Sequence, residues 1–136
     1  MSSVTPVVLD ASVGVKWFRE EHGSVQAREL LHQHAEGTLA LHVAEHFVTE
    51  LLAVVHRQFS VKEIIPAWEA IALAQIEIHP LSDELVGEAA RQCALLGCTF
   101  YDALAPALAV LLGGELVSAD RRAHSRFADA RFIESR

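Results

Sequence analysis

The chain has 136 residues, and its hydrophobic content of 51% is sufficient for a buried core. This composition excludes an intrinsically disordered chain, and the formal net charge of -7 argues against broad non-specific adhesion to nucleic acid. We therefore expect one folded domain spanning residues 1–136.

Targeting and redox features of the sequence are few. Residues 1–5 contain no basic cluster and no long apolar run, so no signal peptide is predicted. The longest apolar run, residues 103–112, falls short of the roughly 20 residues that a membrane span needs. We expect a cytoplasmic protein with no membrane partner. Cys93 and Cys98 have no histidine at a metal-ligand spacing, and we predict reduced thiols.

Apolar periodicity, N-cap residues and glycine stops predict strands that alternate with helices. The predicted strands are 6–10, 39–42, 76–79, 115–120 and 131–133. The predicted helices are 12–18, 24–36, 44–58, 60–74, 82–97, 99–112 and 121–127. Alternation of this kind requires right-handed crossovers and a parallel sheet. The predicted fold class is therefore α/β, a three-layer α/β/α sandwich around a central parallel sheet.

Three local features refine this prediction. Ser12 is expected to be an N-cap, and Ser60 with Glu63 forms a capping-box pattern for a helix that, with the helix before it, could stand off the sheet as an arm. Pro106 has no N–H to donate to the carbonyl of Asp102, so we expect the first turn of that helix to be loosened.

Four acidic residues occupy unusual places in this pattern. Asp10 and Asp120 each end a predicted strand, Asp102 begins an almost wholly apolar helix, and Glu50 lies within another apolar helix. A single aspartate at such a position is often only a cap. In open α/β folds, however, ligands bind outside the carboxyl ends of the strands, where these acids would meet. Glu50 must reach a cleft or a cation, because burying it unpaired would be costly.

Carboxylates gathered in one pocket repel each other unless a cation is present. Oxygen ligands of this kind suit Mg²⁺ or Mn²⁺, which keep several bound waters. Ser12 and Ser118 could steady the carboxylates or a water on the metal, although an N-cap and a turn hydroxyl are the ordinary alternatives. A metal in such a site can activate water for attack on a phosphodiester.

These segments together resemble the PIN domain, and closely the VapC toxins of toxin-antitoxin pairs. The likeness is carried in order by residues 7–12, Glu50, residues 101–104 and residues 116–122. It implies a metal-dependent endoribonuclease that leaves a 5′-phosphate and a 3′-hydroxyl, and a homodimer held inactive by a cognate antitoxin. Ala44 and Ala53 depart from the proline and asparagine common in such proteins.

The resemblance also implies roles for individual residues. Asp10, Asp102 and Asp120 would hold Mg²⁺ or Mn²⁺ directly or through water, and Glu50 would orient or deprotonate the attacking water. Five of the 11 basic residues fall in the last sixteen positions, which predicts a basic rim beside the acids. That rim contains Arg121, Arg122, Arg126, Arg131 and Arg136. The candidates for contacts with RNA phosphates are Lys16, Arg57, Arg121 and Arg122, and the ordinary alternative is a solvated surface charge.

Three other functions compete with the nuclease. A haloacid-dehalogenase-type phosphatase also opens with a strand ending in aspartate, but its general acid would fall at Ser12. A catalytically silent binding module would have no reason to keep four acids. Residues 42–46 spell H-x-x-E-H, the inverted zinc-peptidase pattern, which needs both histidines on one helix, whereas His42 is predicted on a strand. The other histidines, His124 among them, are expected to have surface or capping roles.

Overall fold

The structure is a computed structural model that describes residues 4–134. Two sequence-based predictions involve residues outside this range. The expected absence of a signal peptide rests partly on residues 1–3, and the basic rim includes Arg136.

A five-stranded parallel sheet forms the centre of the described chain. Its strands are β1 (Thr5–Leu9), β2 (Leu39–Ala44), β3 (Glu77–His79), β4 (Glu115–Ser118) and β5 (Ala130–Phe132). They are arranged in the order β3-β2-β1-β4-β5. Val7, Val8 and Leu9 of the middle strand are almost completely buried, as expected for a parallel strand covered on both faces.

Seven α-helices are described between and after these strands. They are α1 (Ala11–Gly14), α2 (Ser24–Glu36), α3 (Glu45–Gln58), α4 (Ile64–Leu73), α5 (Asp83–Leu96), α6 (Phe100–Leu112) and α7 (Arg121–His124). Short 3-10 turns at Val15–Trp17 and Val61–Glu63 precede α2 and α4.

The helices cover the two faces of the sheet in separate groups. Buried side chains of α2, α3 and α4 share one hydrophobic cluster with Val7 and Leu41, whereas those of α5 and α6 share the other with Val8 and Leu116. The chain therefore winds outward from β1 to β3 under one helical layer and returns to β4 under the other. The predicted three-layer α/β/α sandwich is confirmed. Its topological switch point lies between β1 and β4, where ligands bind in folds of this kind.

Two local capping predictions were wrong. Asp10, and not Ser12, is the N-cap of α1, and its carboxylate accepts from the Ser12 N–H. Ser60 makes no capping hydrogen bond, so no capping box forms. The arm predicted for α3 and α4 stays a prediction, because α4 packs on α3, with Ala67 and Ile71 buried, and only α3 packs on β2.

Two further features concern helices and cysteines. Within residues 4–134 no single helix is long and apolar enough to cross a membrane, although α5 and α6, bent by 112°, pass that test when taken together. Cys93 and Cys98 are both free thiols.

Candidate functional site

The ends of β1 and β4 are tied together by two hydrogen bonds. The Asp10 N–H donates to the Val117 carbonyl at 3.1 Å. The Ala119 N–H donates to the Ser12 hydroxyl oxygen at 2.9 Å, across 107 positions of sequence. Asp10 and Asp120 therefore leave neighbouring strands side by side at the switch point. Ser12 thus acts as a link between the two turns that carry them.

Both aspartates also cap the short helices that follow them. Asp10 Oδ2 accepts from the Ser12 N–H at 3.0 Å, and Asp120 Oδ1 accepts from the Ala123 N–H at 3.1 Å. Each capping bond fixes the carboxylate in place and engages one of its oxygens. The second oxygen of Asp10, Oδ1, lies 4.0 Å from His124 Nε2.

Glu50 and Asp10 line one small cleft between α3 and α6. His46 and Tyr101 form its rim, and their rings are stacked with centroids 4.7 Å apart. The floor is apolar and consists of Leu9, Ala11, Ala44, Phe47, Leu104 and Ala105. Asp102 lies in the first turn of α6, where its N–H donates to the Thr99 hydroxyl at 3.1 Å.

The carboxylates influence one another through their charges. Partial burial raises the pKa of Glu50, and the nearby charges of Asp10 and Asp102 raise it further, while His46 opposes the shift. His46 Nε2 lies 3.1 Å from Glu50 Oε2. A raised carboxyl pKa means that added negative charge is unfavourable here, and that a cation would be favoured. The pKa of Glu50 is thus raised by the charges of both Asp10, the N-cap of α1, and Asp102, in the first turn of α6.

His124 is the residue of this region whose role the sequence did not reveal. Its side chain is 1% exposed, and its Nε2 lies 3.2 Å from the Asp102 carbonyl oxygen and 4.0 Å from Asp10 Oδ1. A carbonyl can only accept, so Nε2 carries the proton and Nδ1 accepts from the Ser118 hydroxyl, 2.8 Å away. The Ser118 oxygen in turn accepts from the Asp120 N–H at 3.0 Å. This chain of bonds connects Asp102 with Asp120.

The position of Pro106 explains why His124 is needed there. Because Pro106 cannot donate to the carbonyl four residues earlier, the Asp102 carbonyl lacks its helical partner. His124 supplies the missing donor, and α6 is continuous through Pro106. The predicted loss of the hydrogen bond from residue 106 to Asp102 is therefore not accompanied by a break in α6. The only sequence signal was an isolated histidine in a short segment after Asp120, which does not distinguish a buried side chain from an exposed one.

The predicted phosphate-binding residues are placed differently from one another. Arg121 and Arg122 are exposed on α7 directly after Asp120, and the Arg121 guanidinium lies 4.5 Å from the centre of the Phe132 ring. Arg57 is exposed, but it follows Glu50 by two helical turns, about 10 Å along α3.

Lys16 contradicts its predicted role. Its side chain is buried, and its ammonium group donates to Glu21 Oε2 at 2.9 Å and to the His22 carbonyl at 2.6 Å. The ammonium group is therefore engaged inside the protein and is not available to a phosphate.

The donor set fits a hard divalent cation that retains water. The acids offer only oxygen ligands, and the repulsion felt by Glu50 is what such an ion would relieve. Among residues 4–134, no three of these carboxylates have oxygens within 4.8 Å of one another. Mg²⁺ is usually bound through one or two carboxylates and several waters, so it does not require three carboxylates in contact. The zinc-peptidase pattern is not realised, because His42 lies on β2 and His46 on α3.

Solved structures with the same architecture come from toxin-antitoxin systems. VapBC2 from Rickettsia felis, bound to a DNA fragment from its promoter, matches with a TM-score of 0.69 and 16% identity over 96% of this chain and 99% of that chain. A toxin-antitoxin complex from Klebsiella pneumoniae matches with a TM-score of 0.70 and 13% identity over 92% and 95%. At these identities the likeness establishes the fold.

A third solved structure and the family comparison complete this picture. VapC20 from Mycobacterium tuberculosis, a toxin that cleaves the sarcin-ricin loop, matches with a TM-score of 0.67 and 14% identity over 88% of this chain and 93% of that chain. No curated protein matches the chain in sequence. The family model of the PIN domain matches residues 7–130, which include all four acids. The chain therefore belongs to the PIN domain family.

Proposed function

We propose that this protein is a Mg²⁺- or Mn²⁺-dependent endoribonuclease, the toxin of a VapBC-type toxin-antitoxin pair. The observation that carries the proposal is the shared cleft of Asp10 and Glu50, in which the pKa of Glu50 is raised by burial and by the charges of Asp10 and Asp102. Membership of the PIN domain family and the fold of VapC20, a toxin named for cleaving the sarcin-ricin loop, support an RNA substrate.

The acids take separate roles in the proposed reaction. Asp10, Asp102 and Asp120 hold the metal directly or through water, and the metal, when bound, supplies a water activated for attack and neutralises the leaving oxygen. Glu50 orients the attacking water and accepts its proton, for which a raised pKa is suitable. Ser12 and Ser118 position the turns that carry Asp10 and Asp120.

The substrate's phosphates would approach from the side of α7. Arg121 and Arg122 are exposed beside Asp120 and can contact the RNA backbone without reading its sequence. Arg57 would contact only a longer RNA that extends along α3. We propose cleavage to a 5′-phosphate and a 3′-hydroxyl, because water attacks the phosphorus and the 3′ oxygen leaves.

The proposed partners follow from the same comparison. Solved structures with this fold include VapBC2 and a toxin-antitoxin complex, which supports a cognate antitoxin as the partner of this chain. We propose that the protein acts in the cytoplasm, where its RNA substrate is, and that it forms a homodimer as VapC toxins do.

An assay of the purified free protein tests the activity. With single-stranded RNA and Mn²⁺, we expect endonucleolytic cleavage that EDTA abolishes. The double variant Asp10→Asn, Asp120→Asn should lose at least about 100-fold in rate, the scale on which essential charge-stabilising groups act. Asp129→Asn is the matched control, because Asp129 is exposed beyond α7. Cleavage by the double variant at the parent rate would refute the assignment.

A second substrate separates the nuclease from its main rival enzyme. A haloacid-dehalogenase-type phosphatase would hydrolyse a generic phosphomonoester, whereas the proposed nuclease leaves that compound intact. A folded protein that binds the antitoxin and cleaves neither substrate would indicate the binding module.

A further inference from the structure

Three metal-ligating side chains meet on two neighbouring strands. His42 belongs to β2, and Glu77 and His79 belong to β3, the strand at the edge of the sheet. The parallel register pairs His42 directly with Glu77. Glu77 and His79 are two positions apart on one strand, so all three side chains lie on the same face of the sheet.

The ligand atoms of these residues have the spacing of a metal site. His42 Nδ1 lies 2.9 Å from His79 Nε2 and 3.1 Å from Glu77 Oε2, and the last two atoms are 3.9 Å apart. A tetrahedral Zn²⁺ ion with bonds of 2.0–2.1 Å separates its ligand atoms by about 3.3 Å. The observed distances bracket this value, so an ion could be held without movement of the backbone.

Ion pairing and hydrogen bonding between the rings account poorly for the cluster. Within residues 4–134, Glu77 forms ion pairs with His42 and His79 only, and no lysine or arginine takes part. Two uncharged imidazole rings whose nitrogens lie 2.9 Å apart share a single proton, so Glu77 Oε2 gains a hydrogen bond only if that proton is bifurcated or a ring is charged. The side chains of His42 and His79 are only 13% and 25% exposed, which restricts their rotation. Glu77, at 64%, leaves the cluster open to solvent.

We propose that His42, Glu77 and His79 form a binding site for a borderline divalent ion of the Zn²⁺ class. His42 Nδ1, His79 Nε2 and Glu77 Oε2 are the protein ligands, and water completes the tetrahedron. Imidazole nitrogen favours Zn²⁺, whereas the all-oxygen acids of the cleft favour Mg²⁺ or Mn²⁺. The site would clamp β3, which is only three residues long, to its neighbour β2. The proposal does not depend on the nuclease activity.

Metal titration of the full chain tests this proposal without an activity assay. The starting protein for this titration is the double variant Asp10→Asn, Asp120→Asn, so that the acidic cleft does not contribute. Calorimetry should show one equivalent of Zn²⁺ bound per chain, and Co²⁺ should give the intense visible absorption of tetrahedral coordination. Zn²⁺ should raise the Tm, and Mg²⁺ should not.

Variants of the ligands decide the assignment. His79→Gln should weaken Zn²⁺ binding at least about tenfold and remove the Co²⁺ absorption. His32→Gln is the matched control, because His32 is exposed on α2 and should leave both signals unchanged. If circular dichroism shows that His79→Gln is unfolded, Glu77→Gln takes its place, since Glu77 is mostly exposed. The proposal would be overturned if the folded starting protein did not bind Zn²⁺, or if the folded ligand variant bound Zn²⁺ as tightly as the starting protein does.

Discussion

His124 compensates for the proline in α6 and at the same time orders the acids around the switch point. Its Nε2 donates to the carbonyl that Pro106 leaves without a partner, and its Nδ1 accepts from Ser118. The contact with Ser118 is buried and the one with Asp102 is partly buried, so removing the ring would leave the Ser118 O–H without an acceptor and the Asp102 carbonyl without this donor. His124 is therefore a positioning residue that acts through Asp102 and Asp120.

Replacing His124 tests this role. We expect His124→Leu to lower the free energy of unfolding by about 1–3 kcal/mol, the cost of buried polar groups left unsatisfied. It should also raise the Mn²⁺ concentration needed for half-maximal cleavage by about 10–100-fold, as loss of a group that orients metal ligands does. Urea unfolding and cleavage rates against Mn²⁺ concentration measure the two effects. Ser125→Ala, at the next and exposed position, should change neither. A loss of stability with unchanged Mn²⁺ dependence would make His124 structural only.

Glu50 gives a pH-dependent prediction for the metal-free protein. Because burial and the charges of Asp10 and Asp102 raise its pKa, the stability that Glu50 contributes is present at low pH and is lost as the pH rises through that raised pKa. Glu50→Gln should therefore be more stable than the parent at pH 7.5 and lose this advantage below about pH 4, the ordinary range of a glutamate. Glu50 is 49% exposed, so solvent keeps the gain below about 1 kcal/mol.

Urea unfolding in EDTA at the two pH values measures this effect. Glu69→Gln, at an exposed position of α4, is the control for the loss of one negative charge. An equal advantage for Glu50→Gln at both pH values would contradict the prediction.

At the level of elements, the contact between α1 and α3 sets how Asp10 approaches Glu50. Gly14 of α1 packs so tightly that a Cβ atom there would lie 2.7 Å from Phe47 Cζ and 3.3 Å from Leu51 Cδ2. Phe47 and Leu51 are themselves buried and cannot move aside freely. The glycine thus allows α1, which Asp10 caps, and α3, which carries Glu50, to lie close together.

Gly14→Ala should push these helices apart. Overpacking of this kind costs about 1–3 kcal/mol, more than the about 0.5–1 kcal/mol that alanine contributes within a helix. We expect net destabilisation in thermal unfolding and slower RNA cleavage. Gly87→Ala is the matched control, because Gly87 lies within α5 with no atom within 4 Å of where a Cβ would stand, and it should stabilise the protein by about 0.5–1 kcal/mol. Similar behaviour of the two variants would refute the role of Gly14.

The elements were predictable where the signal is local. The apolar run at Val7–Leu9 and the glycine after Leu112 define β1 and the end of α6 in the sequence as in the structure. The N-cap of α1 was misassigned, because Asp10 and Ser12 are both good caps and only the hydrogen bond from Ala119 reveals what Ser12 does. Contacts between residues far apart in the chain carry no local signal.

The side chains that the sequence misjudged illustrate this limit. Lys16 looked like an exposed cation beside the first acid, but the turn at Glu21 and His22 folds back and buries its ammonium group. His124 and Pro106 compensate for each other across 18 positions, and His42 meets Glu77 only through the register of β2 and β3. By contrast, the placement of Asp10 and Asp120 follows from topology, since both end strands next to the switch point.

At the scale of the whole molecule, the fold concentrates negative charge that is dispersed along the sequence. Asp10 and Asp120 are 110 positions apart, and the chain already carries a net charge of -7. The winding order brings them to adjacent strand ends, and α3 and α6 bring Glu50 and Asp102 from opposite faces of the sheet. The native state therefore holds a charge repulsion that the unfolded chain does not.

Binding of a divalent cation should consequently stabilise the whole domain. A ligand that binds only the native state at 100 times its dissociation constant adds about 2.7 kcal/mol. For a domain of this size, that corresponds to a Tm increase on the order of 10 °C. Mg²⁺ is the ion to use, because it binds imidazole clusters poorly. Scanning calorimetry with Mg²⁺ should show this Tm increase for the unmodified protein and not for the double variant Asp10→Asn, Asp120→Asn. Sodium chloride at matched ionic strength separates specific binding from screening, since screening alone acts on every surface charge. An equal increase with either salt would mean that the acids do not form a metal site.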